Sequence, residues 1–286
     1  MAEACYRKDF IACFGDPIDE NPTVVIMEPA FRALGLNAIY NGALVHPEDL
    51  GDAVKAVKAL HMAGANITVP HKVAVMQYLD AVDPDAALIG AVNTVYLKDG
   101  KACGANTDGK GFTQSLHDAG IAIAGAHVTI LGAGGAAKAI AVELALAGCA
   151  QVHIINRTAE RGQALAQVIN DKTEAKAEYL PWTAGVKIPE DTQILINATN
   201  IGLYPDPGCP DIDWGSVRAD MVVCDVVPNP PQTAFLKRAQ ALGCRTLDGL
   251  SMLVNQGVIG LKIWTGKDAP KALMQQALAK EFGVEV

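Results

Sequence analysis

A short apolar run leads directly into a glycine-rich sequence. Val128–Leu131 is followed by Gly132-Ala133-Gly134-Gly135-Ala136-Ala137. The pattern G-x-G-x-x-A between a strand and a helix is typical of a turn that binds a dinucleotide. Gly132 permits the tight turn, Gly134 lets the backbone approach a pyrophosphate, and the helix N-terminus favours its negative charge. We therefore predict a dinucleotide site here, with a purely structural turn as the alternative.

The end of the next predicted strand indicates which dinucleotide binds. An NAD site usually has Asp or Glu there to bind the ribose hydroxyls, whereas this strand ends in Asn156-Arg157-Thr158, with Arg161 one turn later. Arg157 and Arg161 can form charge-assisted hydrogen bonds with a 2′-phosphate. NADP is therefore the predicted cofactor, and two solvated arginines at a helix start are the alternative.

Polar residues also cluster just after strands in the first half of the chain. They lie in three segments, residues 66–72 (NITVPHK), 90–94 (GAVNT) and 104–109 (GANTDG). Such clustering is unusual for packing and usual for a site. These segments contain Lys72 and Asp108, a pair that can move a proton or can form an ordinary salt bridge.

With these segments the sequence resembles the shikimate dehydrogenase family, and the resemblance covers nearly the whole chain. It continues through residues 197–199 (NAT) and on to the motif positions Asp225, Pro230, Thr233, Gly249, Met252, Leu253 and Gln256. It implies that Lys72 and Asp108 are the catalytic pair of an NADP-dependent alcohol dehydrogenase. Oxidation of a secondary alcohol needs its proton removed as hydride leaves. A neighbouring carboxylate raises a lysine pKa and burial lowers it, so the sequence leaves both directions open.

The resemblance also implies the remaining site residues. It assigns neutral side chains to the substrate's hydroxyls and carboxylate: Thr68, Asn93 and Gln256. It assigns to the cofactor the glycine-rich turn (Gly132, Ala133, Gly134, Gly135, Ala136), the strand end (Asn156, Arg157, Thr158, Arg161) and three later positions (Thr199, Val226, Gly249).

The sequence departs from the family where the substrate carboxylate is held. The family usually has Ser-x-Ser-Pro shortly after its first Gly-x-Pro-Ile turn, whereas this chain has Asn21, Thr23 and Val24 at the two serines and the proline. Pro228 replaces a common tyrosine, and Asp19 and Glu20 add negative charge nearby. Asn21 and Thr23 can still bind an oxygen-rich substrate, so we keep them as substrate-binding candidates. A site that lacks an expected hydrogen-bond donor discriminates strongly between substrates. We therefore predict that activity on shikimate is weak, or is accompanied by activity on a related cyclic hydroxy acid such as quinate.

The elements that must position these residues alternate between strands and helices, which predicts an α/β fold. Strands are predicted at Phe10–Phe14, Ala38–Val45, Gly64–Val69 and Val92–Leu97, and a short helix at Lys72–Leu79. The pattern restarts near residue 120 with strands at Val128–Leu131, Gln151–Ile155, Ile194–Asn197 and Met221–Val226, and a helix at Gly134–Ala147. We therefore predict two domains, a substrate domain (1–110) and a Rossmann-type NADP domain (111–247), with helices 248–286 rejoining the first.

Composition excludes other classes of protein. Half of the 286 residues are hydrophobic and the net charge is −8, which argues against a disordered chain, a nucleic-acid binder and a membrane-surface binder. The N-terminal residues lack a signal-peptide apolar run, so a cytoplasmic monomer or homodimer with a small-molecule hydroxy-acid substrate is expected.

The histidines, His127 and His153 included, have no metal-ligand spacing, so no metal site is predicted. Open alternatives are a quinate or other cyclohexane hydroxy-acid dehydrogenase, a methylenetetrahydrofolate dehydrogenase and a catalytically idle NADP-binding regulator.

Overall fold

The structure is a computed structural model that describes residues 6–284. The chain forms two compact units. Unit 1 comprises residues 6–107 and 256–284, and unit 2 comprises residues 108–255. The return to unit 1 falls within one continuous helix, Gly249–Thr265, a few residues after the position 248 that the sequence predicts. None of the helices within residues 6–284 is both long enough and apolar enough to cross a membrane.

Unit 1 contains a six-stranded mixed sheet. Its strands are β1 (Asp9–Gly15), β2 (Ala38–Leu44), β3 (Gly64–Ile67), β4 (Ala81–Val82), β5 (Thr94–Lys98) and β6 (Lys101–Ala105), in the spatial order β2-β1-β3-β5-β6-β4. The first three strands run parallel, and β5 and β6 form an antiparallel hairpin beside β3. The turn of this hairpin is Asp99-Gly100, with both residues at positive φ as a two-residue hairpin favours.

The helices of unit 1 come from both ends of the chain. They are α1 (Thr23–Ala33), α2 (Leu50–Ala59), α3 (Pro84–Ile89), the end of α8 (Gly249–Thr265) and α9 (Lys271–Phe282). Helix α9 packs against α1, and Trp264 of α8 donates from Nε1 to the carbonyl of Val95 at 2.9 Å. The C-terminal helices are therefore part of the first unit's core.

Unit 2 contains a six-stranded parallel sheet. Its strands are β7 (His127–Leu131), β8 (Gln151–Asn156), β9 (Lys176–Pro181), β11 (Ile194–Asn197), β13 (Val222–Asp225) and β14 (Arg245–Leu247). Their spatial order is β14-β13-β11-β7-β8-β9, which is the 3-2-1-4-5-6 order of a Rossmann fold. The flanking helices are α4 (Asp108–Asp118), α5 (Gly135–Leu146), α6 (Ala159–Lys172) and α7 (Ala234–Ala241), and a small two-stranded pair, β10 (Val186–Lys187) and β12 (Ile212–Asp213), lies apart. The predicted α/β fold with a Rossmann-type second domain is confirmed.

The segment predicted as the helix Lys72–Leu79 differs from the prediction. Residues 70–73 form turns, and a 3₁₀ helix occupies Ala74–Tyr78. The backbone carbonyl of Lys72 accepts a hydrogen bond from Val92 at 2.8 Å, a partner outside the segment. That tertiary bond uses a carbonyl that a regular α-helix would bond four residues later.

Candidate functional site

The turn after β7 has a backbone that requires glycine at its first position. Gly132 has φ +110°, and a Cβ there would lie 3.0 Å from the carbonyl oxygen of Ala198. Its amide donates to the carbonyl of Ile155 at 2.8 Å, which ties the turn to the end of β8. Ala133, the next residue of the turn, is buried. The sequence therefore folds here into the tight turn that its glycine pattern predicts.

The next two glycines leave open space. A Cβ at Gly134 or Gly135 would meet no described atom within 4 Å, and both residues are exposed. Gly134 is the N-cap of α5 and Gly135 its first residue, so the unpaired amides of a helix N-terminus point out here. Ala136 is half-buried and Ala137 is fully buried against the sheet. This geometry fits a pyrophosphate, because backbone donors and a helix N-terminus face a space free of side chains.

The adjacent strand end carries the predicted NADP-selecting residues. Leu131 pairs with Ile155 in the parallel register of β7 and β8, so the glycine turn and Asn156 lie at the same edge of the sheet. Asn156 donates to the carbonyl of Thr158 at 2.8 Å, which closes the turn before α6. Arg157 and Arg161 are exposed at the start of α6. The donor set at this edge therefore fits a 2′-phosphate.

A buried hydrogen-bond network holds the ends of β11 and β13 together. Asn197 donates to Asp225 at 3.0 Å, and the hydroxyl of Thr199 donates to Asn197 at 2.7 Å. Asp225 also accepts from the amide of Val227 and the hydroxyl of Thr233. Burial raises the pKa of Asp225 to about 6, although these hydrogen bonds work in the opposite direction.

This network brings the three remaining cofactor candidates to the same edge of the parallel sheet. The Thr199 side chain lies close to the glycine turn, because a Cβ on Gly132 would be 3.1 Å from its methyl group. A Cβ on Gly249 would be 2.7 Å from the carbonyl oxygens of Val226 and Val227, so α8 can begin there only with glycine. Thr199, Val226 and Gly249 therefore lie around one edge, at the carboxyl ends of the strands, where Rossmann sheets bind their ligands.

In unit 1 the substrate candidate Asn93 belongs to a second network of neutral side chains. Asn93 donates to the hydroxyl of Thr107 at 3.0 Å and accepts from the Thr107 amide at 2.7 Å. Asn66 donates to the carbonyl of Asn93 and accepts from the Tyr40 hydroxyl at 2.7 Å. Thr68 follows β3, and a Cβ on Gly15 would lie 2.5 Å from its methyl group. Asn66 and Tyr40 are further functional candidates, which no motif in the sequence indicates as binding residues.

Asn21 and Thr23, at the two replaced serine positions, interact with each other and with their surroundings in unit 1. The side-chain oxygen of Asn21 accepts from the amide of Thr23 at 3.0 Å. Thr23 is buried beside Tyr40, and burial raises the pKa of that tyrosine well above its ordinary value, while the Thr23 side chain acts in the opposite direction. Tyr40, Asn66 and Asn93 therefore form one continuous hydrogen-bonded chain, and Thr23 lies beside its Tyr40 end.

The predicted catalytic residues occupy different units. Lys72 lies in a turn of unit 1 and is half-buried, while Asp108 is the first residue of α4 in unit 2 and is buried. His71 beside the lysine is buried and donates from Nε2 to the carbonyl of Val45 at 2.7 Å, which is a structural role. Gln256, the substrate candidate on α8, is also buried.

Two histidines that are far apart in sequence come together in unit 2. His127 and His153 both contact Asp191, and the ligand atoms of the three residues lie within 4.8 Å of one another. The sequence shows no metal-ligand spacing for these histidines, but the structure brings their two imidazoles to one carboxylate. Spacing along the chain could not reveal the cluster, because the register of neighbouring parallel strands creates it.

Comparison with known proteins matches most of the chain to one family. Residues 13–95 match the shikimate dehydrogenase substrate binding domain, residues 115–202 match shikimate / quinate 5-dehydrogenase, and residues 249–279 match the shikimate 5'-dehydrogenase C-terminal domain.

Relatives of known name cover nearly the full length. Shikimate dehydrogenase (NADP(+)) of Moorella thermoacetica is 42% identical over 96% of this chain and 93% of its own. The crystal structure of 5-ketofructose reductase of Gluconobacter sp. strain CHM43 is 50% identical with a TM-score of 0.93, over 97% of this chain and 100% of its own. Shikimate 5-dehydrogenase of Thermus thermophilus, solved with NADP(H) and shikimate, is 32% identical with a TM-score of 0.84, over 95% and 99%. The resemblance seen in the motifs is confirmed: the chain belongs to the shikimate dehydrogenase family of NADP-dependent oxidoreductases.

Proposed function

We propose that this protein uses NADP(H) to interconvert a secondary alcohol and a ketone on a polyhydroxylated substrate, and that it prefers a neutral ketosugar to a carboxylic acid. The observation that carries the preference is the chain of neutral side chains from Thr23 through Tyr40 to Asn66. The cofactor and the type of reaction follow the family, and the substrate is inferred from this chain's own residues.

The cofactor fits the edge of unit 2 described above. Gly132 makes the turn, Gly134 and Gly135 leave space for the pyrophosphate, and Arg157 and Arg161 bind the 2′-phosphate. NADPH, when bound, supplies the hydride for reduction of the ketone.

Lys72 and Asp108 manage the proton. During reduction Lys72 donates a proton to the carbonyl oxygen as negative charge develops there, and in the reverse direction it accepts the proton from the alcohol. Asp108 is the partner of Lys72 in this proton transfer. These are the roles that the family resemblance assigns to the two residues.

The substrate preference follows from the direction of hydrogen bonds around Thr23. Tyr40 donates its proton to Asn66, so a Thr23 hydroxyl that interacts with the Tyr40 oxygen does so as the donor and keeps its own oxygen lone pairs. The Asn21 oxygen is already used by the Thr23 amide. A carboxylate needs donors, whereas a sugar hydroxyl can donate to such acceptors.

Charge near these residues also favours a neutral substrate. Asp19 and Glu20 are exposed within four residues of Thr23. Like charges nearby disfavour binding of an anion. The solved 5-ketofructose reductase, 50% identical along the chain, supports the same class of substrate.

A competing candidate is shikimate dehydrogenase itself, because the 42% identical relative carries that name. The test is a steady-state comparison of NADPH oxidation with 5-ketofructose and 3-dehydroshikimate, and of NADP reduction with shikimate and quinate. We expect kcat/KM for 5-ketofructose to exceed that for 3-dehydroshikimate by at least 100-fold. Equal values, or a preference for the acid, would overturn the ketosugar proposal. NADP binding without turnover of any of these substrates would instead favour the regulator.

A matched variant tests the residues behind the preference. Serines at both positions, in the double variant Asn21→Ser/Thr23→Ser, restore the family's hydroxyls. We expect the ratio of kcat/KM values to shift toward 3-dehydroshikimate by at least 10-fold, while the Kd for NADPH stays the same.

A further inference from the structure

A histidine–carboxylate cluster lies in unit 2, formed by His127, His153, Asp191 and Glu178. His127 Nδ1 is 2.6 Å from Asp191 Oδ2, and His153 Nε2 is 3.0 and 3.2 Å from the two Asp191 oxygens. Glu178 Oε1 is 2.8 Å from His153 Nδ1. The four residues come from β7, β8, β9 and the segment before β11. Neither the proposed hydride transfer nor the cofactor site uses them.

The loop that carries Asp191 is fixed on both sides. Arg218 donates to the backbone carbonyls of Glu190 and Thr192, which flank the aspartate. The hydroxyls of Thr192 and Thr129 hydrogen-bond at 2.6 Å. These contacts hold the Asp191 carboxylate beside the two imidazoles without using its oxygens.

His153 is oriented in the way that metal-binding histidines usually are. Its side chain is only 6% exposed, and Glu178 engages Nδ1 while Nε2 faces Asp191. A carboxylate on the second ring nitrogen fixes the ring and its tautomer in carboxylate–histidine–metal arrangements, and it raises the basicity of the coordinating nitrogen. The position of Glu178 therefore supports metal binding by His153, in addition to the closeness of the three ligand atoms.

The chemistry of the donor set selects the class of ion. Two imidazole nitrogens and a carboxylate suit Zn²⁺ and related divalent transition metals and leave a fourth position for water. The observed N–O separations are 2.6–3.2 Å. Tetrahedral ligands at about 2.0–2.1 Å from an ion lie roughly 3.3 Å apart, so the side chains need to move apart only slightly to bind an ion. The charges of Asp191 and Glu178 balance a divalent cation, so the occupied site is neutral with neutral imidazoles. We propose that His127, His153 and Asp191 bind one divalent transition-metal ion of the Zn²⁺ class, with Glu178 orienting His153.

The position of the cluster indicates what the ion does. His127 is the first residue of β7, whose last residue precedes the glycine turn, and Asp191 lies before β11 begins. The site is therefore at the amino ends of the strands, at the edge opposite the nucleotide candidates, roughly 16 Å along β7 from Gly132. An ion there joins β7, β8 and the β11 loop and stabilises unit 2 without touching the cofactor.

Cobalt(II) titration of the chelator-treated full chain tests the site, because a tetrahedral Co²⁺ complex absorbs visible light. We expect one equivalent to bind, and Zn²⁺ to displace it. His127→Ala and Asp191→Asn, both at partly exposed side chains, should each weaken Co²⁺ binding by more than 10-fold. Glu178→Gln should weaken it 10- to 100-fold. His117→Ala and Glu174→Gln, at exposed residues outside the cluster, are the matched controls and should leave binding unchanged.

Thermal unfolding provides the second measurement. Saturating Zn²⁺ should raise the Tm of the unmodified chain and of both controls, and should leave the Tm of Asp191→Asn unchanged. Absence of stoichiometric Co²⁺ binding would mean that the cluster is an ion-pair network only. Binding that survives in His127→Ala and Asp191→Asn, or an absorption band of cobalt–thiolate ligation, would assign the ion to other residues. Each of these results overturns the proposal.

Discussion

The hydroxyl of Thr233 donates to the buried carboxylate of Asp225 at 2.8 Å and accepts from the amide of Leu236 at 3.2 Å. One side chain therefore fixes the end of β13 and caps α7 at the same time. Asn197 reaches the other carboxylate oxygen from β11. The edge of the sheet that we assign to the cofactor is thus held by a single buried acid.

This acid predicts a pH dependence of stability. Burial raises the pKa of Asp225 to about 6 in the folded protein, above its ordinary value of 3.8. The folded state therefore holds the proton more tightly than the unfolded state, and stability falls as pH rises through the window from about 4 to 6. Between pH 5 and 7.5 the loss from this group is about 1 kcal/mol.

Replacement of the acid should remove that contribution. Urea unfolding at pH 5 and pH 7.5 measures this contribution. The free energy of unfolding at pH 5 minus that at pH 7.5 should be about 1 kcal/mol smaller for Asp225→Asn than for the unmodified chain. All other titrating groups are common to both proteins and cancel in the comparison. An identical pH dependence would assign Asp225 an ordinary pKa.

The glycine turn predicts a separation of folding from cofactor binding. Gly134 has extended backbone and open space around its missing Cβ, so Gly134→Ala should change the free energy of unfolding by less than about 1 kcal/mol. The new methyl group occupies the proposed pyrophosphate space, so the Kd for NADP should rise at least 10-fold. Fluorescence titration and urea unfolding measure the two effects.

Gly132→Ala is the matched comparison. Its positive φ and the nearby Ala198 carbonyl predict a loss of about 1–2 kcal/mol in stability, together with weaker binding. Equal losses of stability in the two variants would contradict the geometry of this turn.

Arg157 should determine the choice between NADP and NAD. Arg157→Ala removes a charge-assisted hydrogen bond to the 2′-phosphate, worth about 1.5–3 kcal/mol, so KM for NADP should rise about 10- to 100-fold. KM for NAD should stay nearly the same. Lys172→Ala, at the other end of α6, is the control for a general loss of positive charge. If both cofactors suffer equally, the phosphate assignment is wrong.

Lys72 should act on turnover rather than on binding. Lys72→Met should lower kcat by about 10²- to 10⁴-fold, the range for loss of a general acid–base group, with little change in KM. Lys55→Met, at an exposed lysine of α2, should leave both constants unchanged. A rise in KM with kcat intact would make Lys72 a binding residue.

Asp108 extends this test to the pair. If the two residues act as a unit, adding Asp108→Asn to Lys72→Met should lower kcat little further. Independent, multiplicative losses would separate their roles.

The nucleotide half of the fold could be predicted closely from the sequence. The strand Ile194–Asn197 has its predicted bounds, and α5 begins and ends within one residue of the predicted helix. Both segments are apolar and largely buried, and glycine marks the turn that precedes α5. Strand β9 was missed because Lys176 and Glu178 make this edge strand look like a solvated segment.

The side-chain networks that the sequence does not predict depend on contacts between residues that are distant in sequence. Asn66 and Tyr40 are ordinary strand residues until the parallel alignment of β1 with β2 and β3 brings them together. His153 lies opposite Thr129 in the sheet register, on the same face as His127. No spacing along one segment encodes such an arrangement, so side-chain networks across strands had to come from the structure.

The interrupted course of the first unit has a consequence for protein synthesis. The second unit is complete when the ribosome has added residue 255, but α1 still lacks α9. At Gly257 a Cβ would contact Ile26 and Met274 closely, so this face of α1 is apolar and fits the late helices tightly. At about 5–20 residues per second, synthesis of the stretch between residues 107 and 284 takes on the order of 10 s or more. During that interval the nascent chain presents an uncovered apolar surface, and residues 6–107 finish folding only after unit 2 has been made.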